Sequence, residues 1–231
     1  MILRLTQFLT PWISQQRPSN NRREVIVCGL RSSYKTKRRS RILSKESIQV
    51  IHALKLANAK SPEHLHQVLH TRLSRLLKPD VFNLLDELQR QNQLHLSLTV
   101  FNFIREELGD DKIVAVYADM IFLLGRNRRT EMAEELFSQV LQRGLKPDTR
   151  MCSEMIGAYL QVGMTEKAMQ IYGSMKEWGC SPDKLTFTIL ISSLEKIGQL
   201  DLAQTLKQDS VNYLDPTDKF RSRNPTKHAK K

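Results

Sequence analysis

Shifted by 35 residues, the chain falls back onto itself. Ala133, Ala168 and Ala203 share one column, and Ile121, Ile156 and Ile191 share another, preceded by Met120, Met155 and Leu190. Leu136, Ile171 and Leu206 form a further column, as do Glu131, Glu166 and Asp201. Gly163 pairs with Gly198 and Gly144 with Gly179, and Pro147-Asp148 recurs as Pro182-Asp183. A fixed period of this length means supersecondary units, none of which can bury its apolar surface alone, so the units must stack. The columns define units at 114–148, 149–183 and 184–218.

Each unit reads as a pair of helices. In 149–183, Met151, Met155, Ile156 and Tyr159 recur at three- and four-residue spacing, which places them on one helical face. Gly163 ends that helix, and the second begins near Thr165, whose hydroxyl is expected to cap it. Ala168, Ile171, Tyr172 and Met175 form its apolar face. Gly179 stops it, Pro182 prevents its resumption, and Asp183 is placed to cap the next helix. The Ala column allows the paired helices to approach closely. A degenerate unit at 78–113 has Leu84, Leu85 and Leu88 in one helix and Leu96, Ser97, Val100, Phe101 and Ile104 in the next, with Ser97 in the small-residue column. Residues 44–77 form a divergent pair, with Pro62 in the first turn of its second helix. The expected architecture is all-α, a right-handed α-solenoid over residues 44–215.

The net charge of +12 sits in the tails. Residues 1–40 carry nine Lys/Arg against Glu24 alone, and residues 219–231 carry six with no acid. Residues 41–218 have 21 basic and 23 acidic side chains, so the global charge says little about a basic groove in the body. The acid-poor, Arg- and Ser-containing leader has the composition of an organellar transit peptide. The stretch Ile26 to Gly29 resembles a chloroplast processing site with cleavage after Cys28. Residues 1–28 are thus expected to be a chloroplast address and 29–43 a basic arm. The other readings are a mitochondrial address or a retained disordered arm. No apolar run is long enough for a transmembrane helix, so no membrane insertion is expected. The three cysteines lack zinc-ligand spacing and read as structural thiols in a reducing compartment.

Units of 35 residues with Gly-x-x-Pro-Asp at the end, a central Gly, and Ala-x-x-Ile/Leu-Phe/Tyr after it resemble P-class pentatricopeptide repeats (PPR). The short chain with a plastid-like leader is similar to the chloroplast splicing factors of the thylakoid assembly eight type. The resemblance implies sequence-selective binding of single-stranded organellar RNA and promotion of group II intron splicing in the chloroplast stroma, with a mitochondrion as second choice. It implies partners among other splicing factors, or self-association, because two or three base-reading units cannot define a transcript alone. It further implies that the fifth and last residues of a unit read one base, giving Ala118 with Asp148, Ser153 with Asp183, and Thr188 with Asp218. Ser or Thr with Asp resembles the pairing that favours guanine. Ala115, Arg150 and Leu185, the second residues, would flank the base, Arg150 by stacking its guanidinium or by reaching a phosphate. Arg126 and Lys196 are candidate phosphate contacts, joined by Lys219, Arg221 and Arg223 of the basic tail at 219–231. RNA binding would require Arg126, Arg150 and Lys196 together on the concave side. The alternative is that Asp148 and Asp183 are helix caps and nothing more.

No His-x-Glu with Cys-x-x-Cys deaminase signature, Walker-type loop or Gly-x-Ser-x-Gly occurs. His66 and His70 share a helix face, but no third metal ligand is placed by sequence. The expectation is a binding protein without cofactor or metal. Its rivals are a protein–protein scaffold in an organellar ribonucleoprotein and a mitochondrial RNA-processing factor.

Overall fold

The computed structural model describes residues 43–109 and 113–213. The leader, the basic arm up to residue 42, and Asp218, Lys219, Arg221 and Arg223 lie outside the described residues. Ten α-helices and one short 3-10 turn make up the described elements, and none is a strand. They are α1 (Lys45–Lys60), α2 (Pro62–Thr71), α3 (Lys78–Arg90), α4 (Leu94–Leu108), α5 (Val114–Arg126), α6 (Thr130–Gln142), α7 (Thr149–Gln161), α8 (Thr165–Ser174), α9 (Lys184–Lys196) and α10 (Leu200–Tyr213).

The helices pair in sequence order, and each pair rests on the next. Side-chain bonds between units show this nearest-neighbour design: Lys55 to Gln91, Gln89 to Met120 and Tyr172 to Asp209 all span 31 to 37 residues. Asn92 and Asn127, 35 residues apart, exchange reciprocal amide bonds of 3.1 and 2.8 Å. A solenoid stabilised this way has one continuous core, which runs from Val50 to Leu206. The columns supply it: Ala133, Ala168 and Ala203 are buried, and so is Ser97. In α7, every residue from Met151 to Leu160 is buried, because α5, α6, α8 and α9 all pack on it.

From α3 onward, the first helices of the pairs end alike. After α7, Gly163 N–H donates to the Leu160 carbonyl at 3.2 Å and Met164 N–H to the Tyr159 carbonyl at 2.9 Å. This is the Schellman pairing, and it needs a left-handed residue at its centre. Gly163 and Gly198 take that position at φ 80°, while Asn92 and Arg128 take it at φ 55°. The motif leads directly into the next helix, so Met164 is the N-cap of α8 and no side chain caps it. Thr165 therefore lies inside the helix instead of capping it, contrary to the sequence expectation. Pro79 and Asp80 also differ from their counterparts: they sit in the first turn of α3, where a missing N–H costs nothing.

The degenerate unit joins the regular ones through aromatic packing. Phe101 of α4 meets Tyr117 of α5 edge-on at 5.0 Å, and the Arg105 guanidinium lies 5.5 Å from both ring centres. Burial raises the Tyr117 pKa, and the adjacent Arg105 opposes that shift.

Candidate nucleic-acid interface

The seam between α7 and α9 brings two sequence-predicted residues together. Asp183 is the N-cap of α9 in an extended conformation, and its carboxylate accepts from Thr186 N–H at 2.8 Å. Thr186 Oγ1 donates to the same Asp183 oxygen at 2.8 Å and lies 2.7 Å from Ser153 Oγ. Ser153, Thr186 and Asp183 thus form one hydrogen-bonded chain across the seam. Ser153 and Thr186 are buried, whereas Asp183 is exposed at the rim. The Ser153 hydroxyl also lies 2.8 Å from the Thr149 carbonyl, an alternative acceptor for its one hydrogen. A base could reach it only by parting α7 from α9.

Sequence reasoning missed Thr186. Its signal was available, since Asp-x-x-Thr ahead of an apolar run is a capping-box pattern with Thr in place of Glu. Asp148 caps α7 through a 2.7 Å bond from Met151 N–H, and Met151 cannot repeat the hydroxyl bridge.

The remaining residues divide by place. Ala118 is buried, while Ala115 is exposed and Leu185 half-buried. Thr188 is exposed, with its hydroxyl donating to the Lys184 carbonyl at 2.7 Å. Arg150, near the start of α7, forms an ion pair with Asp119 of α5. Burial works against its charge, but the carboxylates of Asp119, Glu154 and Asp148 more than offset this and raise its pKa. Arg126 and Lys196 lie exposed in the last turns of α5 and α9, at the opposite end of the first helices from Arg150. Arg126 and Lys196 thus sit at the C-terminal ends of their helices, whereas Arg150 sits at the N-terminal end of its own. Arg126 lies over the Phe122 ring at 5.7 Å, and exposed Arg128 and Arg129 follow it in the chain. These two were legible as the dense run after Gly125, but only Arg126 fell in a repeated position.

The His66 and His70 rings meet at a tilt, 4.2 Å between centres, and His70 rests edge-on against Phe103. Among the described residues, no group of three metal-ligating side chains converges, and no helix is long and apolar enough to cross a membrane.

Comparison with known proteins decides the family. The PPR repeat model matches residues 115–145, and the PPR repeat family model matches residues 149–196. The chain is 30% identical to Protein THYLAKOID ASSEMBLY 8, chloroplastic, of Arabidopsis thaliana, over 80% of this chain and 84% of that protein. It belongs to the pentatricopeptide repeat family. The pentatricopeptide repeat-containing protein At1g62350 of the same plant is 26% identical, over 72% of this chain and 84% of its own length. The crystal structure of THA8 in complex with Zm4 RNA has the same fold, with a TM-score of 0.55 and 21% identity over 74% of this chain and 96% of that one. The match over 149–196 spans both the Ser153 and the Asp183 ends of the seam.

Proposed function

We propose that this PPR protein binds single-stranded RNA, one base per competent unit, and acts in the chloroplast stroma on the splicing of group II introns together with other splicing factors. The observation that carries the reading is the Ser153–Thr186–Asp183 chain, which joins the fifth and last residues of one unit at the seam between successive first helices. A parted seam presents a hydroxyl and a carboxylate to one base edge, with half-buried Leu185 beside it as apolar surface. Exposed Arg126 and Lys196 supply phosphate contacts along the turn edge, and Arg128 and Arg129 lengthen it. Arg150, tied to Asp119, positions α7 against α5 and is not assigned to the RNA. The chloroplast assignment draws on the leader composition and on the chloroplastic relative. The chemistry is recognition, with no catalytic role for any of these groups.

Crosslinking in isolated chloroplasts, followed by sequencing of the RNA recovered with the tagged protein, tests this. Enrichment of intron sequence is expected. Recovery of protein partners without RNA would favour a scaffold role, as would loss of those partners on mutating Val162, Met164, Ile197 and Leu200, the exposed apolar residues on the same edge.

A further inference from the structure

The two cysteines of the best-formed unit meet. Cys152 and Cys180 are separated by 28 residues in sequence, yet their sulfurs lie 3.7 Å apart, in contact and both reduced. Cys152 sits in the first turn of α7, next to Ser153. Cys180 lies in the loop that leads to Asp183, with its thiol donating to the Met175 carbonyl at 3.2 Å. We propose that Cys152 and Cys180 are a disulfide-forming site, and that the bond locks the α7–α9 seam shut. The second clause rests on the RNA-binding reading, and the first does not.

Cys180 is the partly accessible partner, at 8% exposure, while Cys152 is fully enclosed. Burial, with Cys180 next, pushes the Cys152 thiol up, so Cys152 is the poorer first nucleophile. A small-molecule disulfide therefore reacts first at Cys180. The Cys180 sulfur attacks one sulfur of the reagent, the reagent's disulfide breaks, and the expelled thiolate takes up the Cys180 proton. The Cys152 sulfur then displaces the second reagent thiolate from the mixed disulfide, and its proton goes to that leaving group. Two cysteine S–H bonds are lost and one S–S bond is gained. The protein is oxidised by two electrons, and the reagent is reduced to two thiols. Holding the two sulfurs in contact replaces a bimolecular second step by an intramolecular one.

The bond would tie the N-terminal turn of α7 to the segment that delivers α9. Ser153 is enclosed and bridged to Thr186, so a base enters only when these helices part. A covalent tie across that opening opposes entry.

The test uses the full chain with Cys28→Ser, treated with oxidised glutathione. The expected product has lost two hydrogens in mass and gives a cross-linked peptide joining Cys152 to Cys180. Its melting temperature rises by roughly 5–10 °C over the reduced form. Cys180→Ser, checked for folding by circular dichroism, should show no rise. A persistent glutathione adduct, an intermolecular dimer or an unreacted pair would overturn the site. Binding of a guanine-containing single-stranded RNA should weaken about tenfold on oxidation, the scale of one base read. Equal affinity in both redox forms would overturn the lock. If neither form binds RNA, the RNA-binding reading fails instead, while mass and melting still decide the bond.

Discussion

Ser97 and Arg128 are two residues at which the chain departs from its own pattern, and both departures have a physical cost. Ser97 occupies the column of Ala133, Ala168 and Ala203, fully enclosed, with its hydroxyl unpaired. A buried hydroxyl without a partner costs about 1–3 kcal/mol. Ser97→Ala should therefore raise stability by about 1 kcal/mol, read as a higher urea midpoint with unchanged slope; a lower midpoint would show that the hydroxyl is satisfied. Arg128 holds the left-handed position that Gly163 and Gly198 fill in later units. Its side chain is exposed, so Arg128→Gly relieves the strain of a Cβ there and should stabilise by about 0.5–1 kcal/mol. Thermal melts check the sign. The columns exposed both positions directly. The Ser153–Thr186 bridge was hidden for the opposite reason, since Thr186 has Met151 as its counterpart and no periodicity marks it.

Helix pairing followed from spacing alone, because a 35-residue repeat with two apolar faces leaves few alternatives. Helix ends at Gly163 and Gly198 were readable from the breakers, but α8 stops at Ser174, five residues before the Gly179 expected to end it, and Met175 is its C-cap. The depth of contact between elements was not readable. A Cβ on Gly125 of α5 would lie 2.9 Å from the Ala158 Cβ of α7, so these helices touch almost backbone to backbone. Repetition does not reveal this, since Leu160 and Glu195 follow no such rule in the neighbouring helices. In an ordinary helix Gly→Ala gains about 1 kcal/mol of propensity. Here overpacking costs about 1–3 kcal/mol, so Gly125→Ala should lower the melting temperature by a few degrees. A rise would mean that α5 and α7 can separate freely. The join between α4 and α5 was equally illegible, because Phe101, Tyr117 and Arg105 meet only once in the chain.

At the scale of the molecule, the body is nearly neutral and the charge lies in its tails. The tails should add affinity without base preference. Each phosphate neutralised contributes about 0.7 to the log–log salt slope on single-stranded RNA, so deleting 219–231 should flatten that slope and weaken all sequences alike. A change in base preference instead would give the tail a reading role. Family and fold were legible because they are written in spacing. The seam's closed state was not, because it depends on how tightly α7 and α9 pack around Ser153. The central claim is that this seam reads one base, and base preference at that one position tests it most directly. Affinities of the native chain and Ser153→Asn would be measured against a set of single-stranded RNAs differing at one position, with the melting temperature of each protein alongside. The native chain should prefer guanine there by about 1–3 kcal/mol, and the folded variant should shift towards uracil at that position alone. A folded Ser153→Asn protein with its guanine preference intact would contradict the account.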